Sequence, residues 1–151
     1  MYALTSNPPT EWPKEQQEVW SCLEKHWEHL INKRVEEFLK YIHTDIIGYG
    51  HESPLPVDRP WLEKWVGFWT KSTDIIICEL RPIQARTHGD IVILQYFIFT
   101  IEKNVEGGNR VIRRYTQTWK KSPSALACFA NRVVEKINQP SLDAVLRTHD
   151  H

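Results

Sequence analysis

His51 is the residue best suited to move a proton. A free imidazole titrates near neutral pH, so it can accept or release a proton under ordinary conditions. It stands beside Tyr49 and Glu52 in the segment from Ile46 to Glu52. Side chains alternate along extended backbone, so Tyr49 and His51 share a face and at most one of His51 and Glu52 points inward. A second set, Tyr96, Tyr115, Gln117 and Trp119, joins aromatic rings to hydroxyl, amide and indole groups. Tyrosine hydroxyls in a pocket wall can hold a carbonyl, or the oxyanion that develops on one. Trp61, Trp65 and Trp69 recur every fourth residue. Such a stripe reads first as core, but tryptophan is seldom fully buried, so Trp65 or Trp69 is expected to edge into a pocket. His26 and His29, with Glu24 and Glu28 nearby in sequence, make at most half a metal site and read as surface residues. No metal is expected. No phosphate loop, nucleophile elbow or dinucleotide fingerprint occurs, so no cofactor is expected either.

These groups need elements to position them, and the plainest is a long β-hairpin across Asp90–Lys121. The strand IVILQYFIFTIEK leads to Glu106-Gly107-Gly108-Asn109 and returns as RVIRRYTQTWKK. Glycine and asparagine between β-branched and aromatic runs predict the turn there. The outgoing strand is apolar on both faces, with Val92, Leu94, Tyr96 and Ile98 opposite Ile91, Ile93, Phe97 and Phe99. It must therefore be covered twice. On the return, Tyr115, Gln117 and Trp119 share one face, and Arg114, Thr116 and Thr118 share the other. Arg110, Arg113, Arg114, Lys120 and Lys121 make this strand basic; the expectation is an outer face, solvated or paired with Glu102 and Glu106.

Upstream the period is helical. Trp20, Leu23, Trp27, Leu30 and Ile31 form the stripe of a helix of about 18 residues. The stripe continues through Val35, Phe38, Leu39 and Ile42, so the helix bends near Asn32-Lys33 or two helices meet there. A short strand, IIGYG, follows, then a loop at Ser53-Pro54-Leu55-Pro56. Asp58 is an N-cap candidate for the tryptophan-bearing helix, with Pro60 in its first turn. From Thr73 the period is two, and Pro82 marks a bulge or an edge. His88-Gly89-Asp90 turns into the hairpin. A last strand, ALACFANRVVEKI, completes the sheet and is stopped by Asn138-Gln139-Pro140. Helices first and strands after predict α+β, with helices on the concave face of a curved antiparallel sheet. The organisation expected is a flexible arm over 1–12, one domain over 13–138 and a tail over 139–151.

Composition narrows the partners. With 151 residues the chain is about one domain long. Lys+Arg and Asp+Glu are both 19, so the net charge is zero and no global field favours nucleic acid or an anionic membrane. Neither partner is expected. The three cysteines form no paired motif, which suits a reducing compartment. The segment MYALTSNPPTEWP lacks a basic stretch before an apolar core, so no secretory signal is expected, and a cytoplasmic location follows as the default.

The element order, together with DIIGYGHESPLP, Leu80-Arg81-Pro82, His88-Gly89-Asp90-Ile91-Val92 and Tyr115-Thr116-Gln117-Thr118-Trp119 ahead of Lys120-Lys121, resembles the nuclear transport factor two-like superfamily, and within it the SnoaL-like group. The resemblance runs from about Trp20 to Val134 and implies a cone-shaped, cystatin-like α+β barrel. That superfamily includes isomerases, dehydratases, cyclases, epoxide hydrolases and non-catalytic binding domains. The resemblance places the ketosteroid isomerase carboxylate near Gly50, which disfavours that mechanism here. It also sets Tyr96 and Gln117 where the kinase association domains have pocket arginines, so a carboxylate-binding pocket is not expected. The turn Ser122-Pro123-Ser124 and the start Ala125-Leu126-Ala127-Cys128 depart from the family and imply a roomier pocket.

The reading is a cofactor-independent pocket enzyme on a small, mostly apolar molecule. His51 would move the proton and Tyr96 or Tyr115 would hold the oxyanion, with Tyr49, Glu52, Trp65, Trp69, Gln117 and Trp119 against the ligand. The alternative is a non-catalytic ligand-binding or association domain. The twice-apolar strand predicts a homodimer through the outer sheet face.

Overall fold

The computed structural model describes residues 3–49, 55–121 and 126–140, the last of these as a backbone path. The elements are β1 (Ala3–Ser6), α1 (Lys14–Ile31), α2 (Val35–Leu39), β2 (Ile42–Tyr49), α3 (Arg59–Ser72), β3 (Asp74–His88), β4 (Ile91–Asn104), β5 (Gly107–Lys121) and β6 (Leu126–Pro140). One six-stranded sheet runs β1-β3-β4-β5-β6-β2. The pairs from β3 to β6 are antiparallel, and β1 and β2 add parallel edges on β3 and β6. The sheet is curved and unclosed, with the helices on one face, as the α+β reading expects.

The 18-residue α1 turns Val19, Trp20, Leu23, Trp27 and Leu30 onto the sheet. It ends at Ile31 because Lys33 is left-handed, with φ 59°, which lets Lys33 N donate to Leu30 O and Arg34 N to His29 O. Two helices therefore meet at Asn32-Lys33. α2 is short; Ile42, read as part of its stripe, begins β2. Asp58 caps α3 by accepting from Trp61 N at 3.0 Å, with Pro60 in the first turn. The inner faces of β3, β4 and β5 contribute Cys78, Leu80, Val92, Leu94, Tyr96, Ile98 and Trp119 to the same core. Cys78 behaves as a small apolar residue, its thiol pushed up to about 12 by burial.

Bulges bend the long strands. The β3–β4 register shifts at Pro82/Gln84, where the sequence pattern places a bulge, and β5–β6 shifts at Arg114/Tyr115 and Thr118/Trp119. Three boundaries differ from expectation. The hairpin turn is Val105-Glu106, earlier than Glu106–Asn109. Asn104 Oδ1 accepts from Glu106 N at 2.9 Å, and Gly107 takes φ 123°, so Gly108 and Asn109 are released into the strand. The arm is not loose along its length: Ala3–Ser6 pairs with Ile77–Leu80, and Trp20 Nε1 donates to Ser6 Oγ at 2.7 Å. The last strand runs through Asn138 and Gln139 to Pro140, a terminal position where a missing N–H costs little. The tail beyond Pro140 lies outside the described residues. Among the described residues no helix is long and apolar enough to cross a membrane.

Candidate functional site

The interior of the curved sheet is not filled. A cavity of about 80 Å³ lies between α1, α2, β2, α3 and β5. Its apolar wall includes Trp27, Leu30, Phe38, Ile42 and Ile46, with Leu62, Trp65, Val66 and Trp69 from α3. The four-residue spacing stacks Trp61 on Trp65 and Trp65 on Trp69, with ring centroids 6.0 and 5.9 Å apart. Two of these rings reach the cavity, and Trp61 stays toward solvent.

The polar wall comes from β5 and α1. The two-residue period of β5 sets Arg113, Tyr115, Gln117 and Trp119 on its inner face. Tyr115 lies on the ring of Tyr96, centroids 5.1 Å apart and 11° from parallel. Tyr96 is fully buried behind it and its hydroxyl accepts from Trp27 Nε1 at 3.1 Å. Trp119 is also fully buried, and its Nε1 donates to Gln117 Oε1 at 3.1 Å. An indole N–H only donates, so this bond settles which end of the Gln117 amide is oxygen. Gln117 is itself 3% exposed, and its Nε2 has no acceptor among the described residues.

His26 is the buried titratable group of the cavity. It is 3% exposed and stacks on Phe38, centroids 3.9 Å apart. Its Nδ1 is 3.0 Å from Phe38 O, and a carbonyl only accepts, so Nδ1 carries the proton. Nε2 is then the lone-pair nitrogen, and it has no donor among the described residues. Burial drives the pKa from 6.5 to about 3, the Phe38 bond opposing weakly and His29 adding a little. The ring is neutral at any ordinary pH.

Arg113 brings a charge, already matched. Its Nη1 donates to Glu102 Oε1 at 2.7 Å, and Thr100 Oγ1 donates to the same oxygen at 3.0 Å. Both charged side chains are under 10% exposed, so the pair is desolvated.

Of the residues singled out in the sequence, Tyr115, Gln117, Trp65 and Trp69 line the cavity, whereas Tyr96 and Trp119 stand behind the lining. Tyr49 ends β2; His51 and Glu52 lie outside the described residues. Two expectations are corrected. His26 is no surface residue: it lies three after Leu23 and four before Leu30, on the buried stripe, although glutamates flank it in sequence. Arg113 does not share the outer face with Arg114, because it has the parity of Tyr115. Glu102 is its partner as expected, but inside. His29 is half-buried and accepts from Arg34 Nε. Among the described residues no group of three or more side chains is placed to hold a metal.

No family model matches the chain, and no curated protein matches it. Solved structures do. A nuclear transport factor two-like protein from Cytophaga hutchinsonii superposes with a TM-score of 0.67 at 15% identity, over 80% of this chain and 98% of that one. A ketosteroid isomerase-like protein from Erwinia carotovora atroseptica gives 0.69 at 9% identity, over 82% and 99%. A protein proposed to be a calcium/calmodulin-dependent kinase two association domain, from Exiguobacterium sibiricum, gives 0.69 at 8% identity, over 88% and 100%. At such identities the likeness establishes the fold, which is that of the nuclear transport factor two-like superfamily.

Proposed function

We propose that this chain is a small-molecule pocket protein that performs cofactor-independent proton-transfer chemistry, of isomerase, dehydratase, cyclase or epoxide-opening type, on a small, mostly apolar molecule. The observation that carries this is the aromatic cavity into which His26, Arg113, Tyr115 and Gln117 converge. A buried imidazole held neutral keeps its Nε2 lone pair for a substrate O–H or N–H. Its low basicity means that proton removal must be helped by charge stabilisation on the substrate. The Gln117 amide and the Tyr115 hydroxyl are the donors proposed for that purpose. His51 keeps the role of proton carrier, with Tyr49 and Glu52 as ligand contacts, as part of this proposal.

The test begins with occupancy. Native mass spectrometry of the purified chain is expected to retain a small molecule, or ligand-observed NMR to return small aromatic fragments. Leu62→Trp, which adds bulk on the half-buried α3 wall, is expected to weaken fragment binding at least tenfold. An unoccupied wild-type chain that binds no fragment would end the pocket reading. Binding without turnover, unaffected by His26→Phe and Tyr115→Phe in any assay, would favour the non-catalytic alternative.

The partner proposed for the outer face is a second copy of the chain. On β4, Ile91, Ile93, Phe97 and Phe99 are half-buried there, and on β3 Ile83 is 48% exposed. A two-fold contact of roughly 800 Å² per partner would cover such a surface. Light scattering at micromolar concentration is expected to give about twice the 17.9 kDa chain mass, and Phe97→Glu to halve it. A wild-type monomer contradicts the proposal.

A further inference from the structure

We infer that His26 Nε2 and Gln117 Nε2 act together to read one edge of an uncharged, flat ligand, an edge carrying a hydrogen-bond donor beside a carbonyl, as a lactam or an α-hydroxy ketone does. The inference rests on the pocket reading above and gives that pocket a ligand class.

The two groups are complementary. One is an acceptor whose tautomer is set by Phe38 O, the other a donor whose orientation is set by Trp119 Nε1. Each is 97% buried, at 3% exposure, and neither atom has a protein partner among the described residues. Buried polar atoms are rarely left unmatched, and an unmatched pair in a cavity is a demand for a ligand that matches it. They are also neighbours: the His26 ring meets Trp119 edge-on, centroids 6.2 Å apart, and Gln117 bonds the same indole. Both side chains line the one cavity, so a small molecule seated there can meet both.

The charge of the site selects neutrality. Arg113 is compensated by Glu102 at 2.7 Å, and His26 stays neutral. An anion would meet no uncompensated cation and would lose its hydration on entry. Flatness follows from the walls, since Phe38, Tyr115, Trp65 and Trp69 present rings to the space. Size follows from the 80 Å³ cavity, well below the several hundred Å³ typical for drug-sized ligands.

The probes are 2-pyridone, which carries N–H beside C=O, N-methyl-2-pyridone, which lacks the donor, toluene, which lacks both, and benzoate, which is charged. Binding is read by tryptophan fluorescence and by calorimetry on the full chain. In the wild type, 2-pyridone is expected to bind roughly tenfold tighter than N-methyl-2-pyridone, with toluene weaker again and benzoate no better than toluene. In Gln117→Met and in His26→Phe the preference should shrink to about twofold or less. Equal binding of the two pyridones, a preference that survives both variants, or benzoate binding tightest would each overturn the inference while leaving the pocket reading intact. Failure of all four probes, toluene included, would overturn the pocket reading and this inference with it. The wild-type comparison needs no variant to fold.

Discussion

Arg113→Met is expected to destabilise the protein by about 3–5 kcal/mol, a fall in Tm on the order of 10 °C. The loss does not come from the arginine itself. It comes from Glu102, which is 7% exposed and would be left as a buried carboxylate with Thr100 Oγ1 as its remaining donor among the described residues. The same reasoning gives the double variant a different fate. Arg113→Met with Glu102→Leu removes both charges, and it is expected to return to within about 1 kcal/mol of wild type or to exceed it. Thermal and urea unfolding of the three proteins decide the matter. A single variant as stable as wild type would mean that the pair is hydrated. A double variant as poor as the single one would mean that Arg113 packs in a way that charge does not explain.

Acidification should expose the second large effect. In the unfolded chain His26 binds a proton near pH 6.5; in the folded protein burial holds it neutral down to about 3. Above 6.5 both states are neutral and stability is full. As the pH falls from 6.5 toward 3, the unfolded state carries the extra proton, so stability drops by up to about 1.4 kcal/mol per pH unit. Below about 3 both states are protonated and this loss stops growing. At pH 5 the contribution is roughly 2 kcal/mol. Carboxylates titrate in part of the same window, so the measurement is a difference. Urea unfolding at pH 7 and pH 5 is compared between wild type and His26→Gln, whose amide still donates to Phe38 O. The variant is expected to lose less stability on acidification by about that amount. Parallel losses would show that water reaches the imidazole.

The main architecture was legible because periodicity carries it. The stripe from Trp20 to Ile31, the Asp58 cap, the Pro82 bulge and the opposite faces of β4 all follow from spacing and backbone chemistry. The site was legible in part. Tyr115, Gln117, Trp65 and Trp69 followed from the same periods, but Tyr96 and Trp119 share the parity of the lining without reaching the cavity. Parity assigns a side, not a depth, and depth depends on which ring lies over which. His26 and Arg113 show the converse. Their polar character suggests the surface, but Leu23 and Leu30 around His26, and Tyr115 two residues after Arg113, place both inside. β1 was hidden because four residues before Pro8-Pro9 carry too little pattern to separate a strand from an arm. Its stability comes from β3, which local sequence does not display.

The sheet order has a kinetic consequence. β3, β4, β5 and β6 are joined in sequence, so their antiparallel pairings form by closing short loops. β2 pairs with β6 across the whole intervening chain, Gly48 beside Asn131. Such a distant contact carries a larger loop-closure cost and is satisfied late in folding. Ile42 and Ile46, which wall the cavity, lie on that strand. The four-stranded meander thus provides the template, and the chamber becomes enclosed only when the most distant segment docks at its edge.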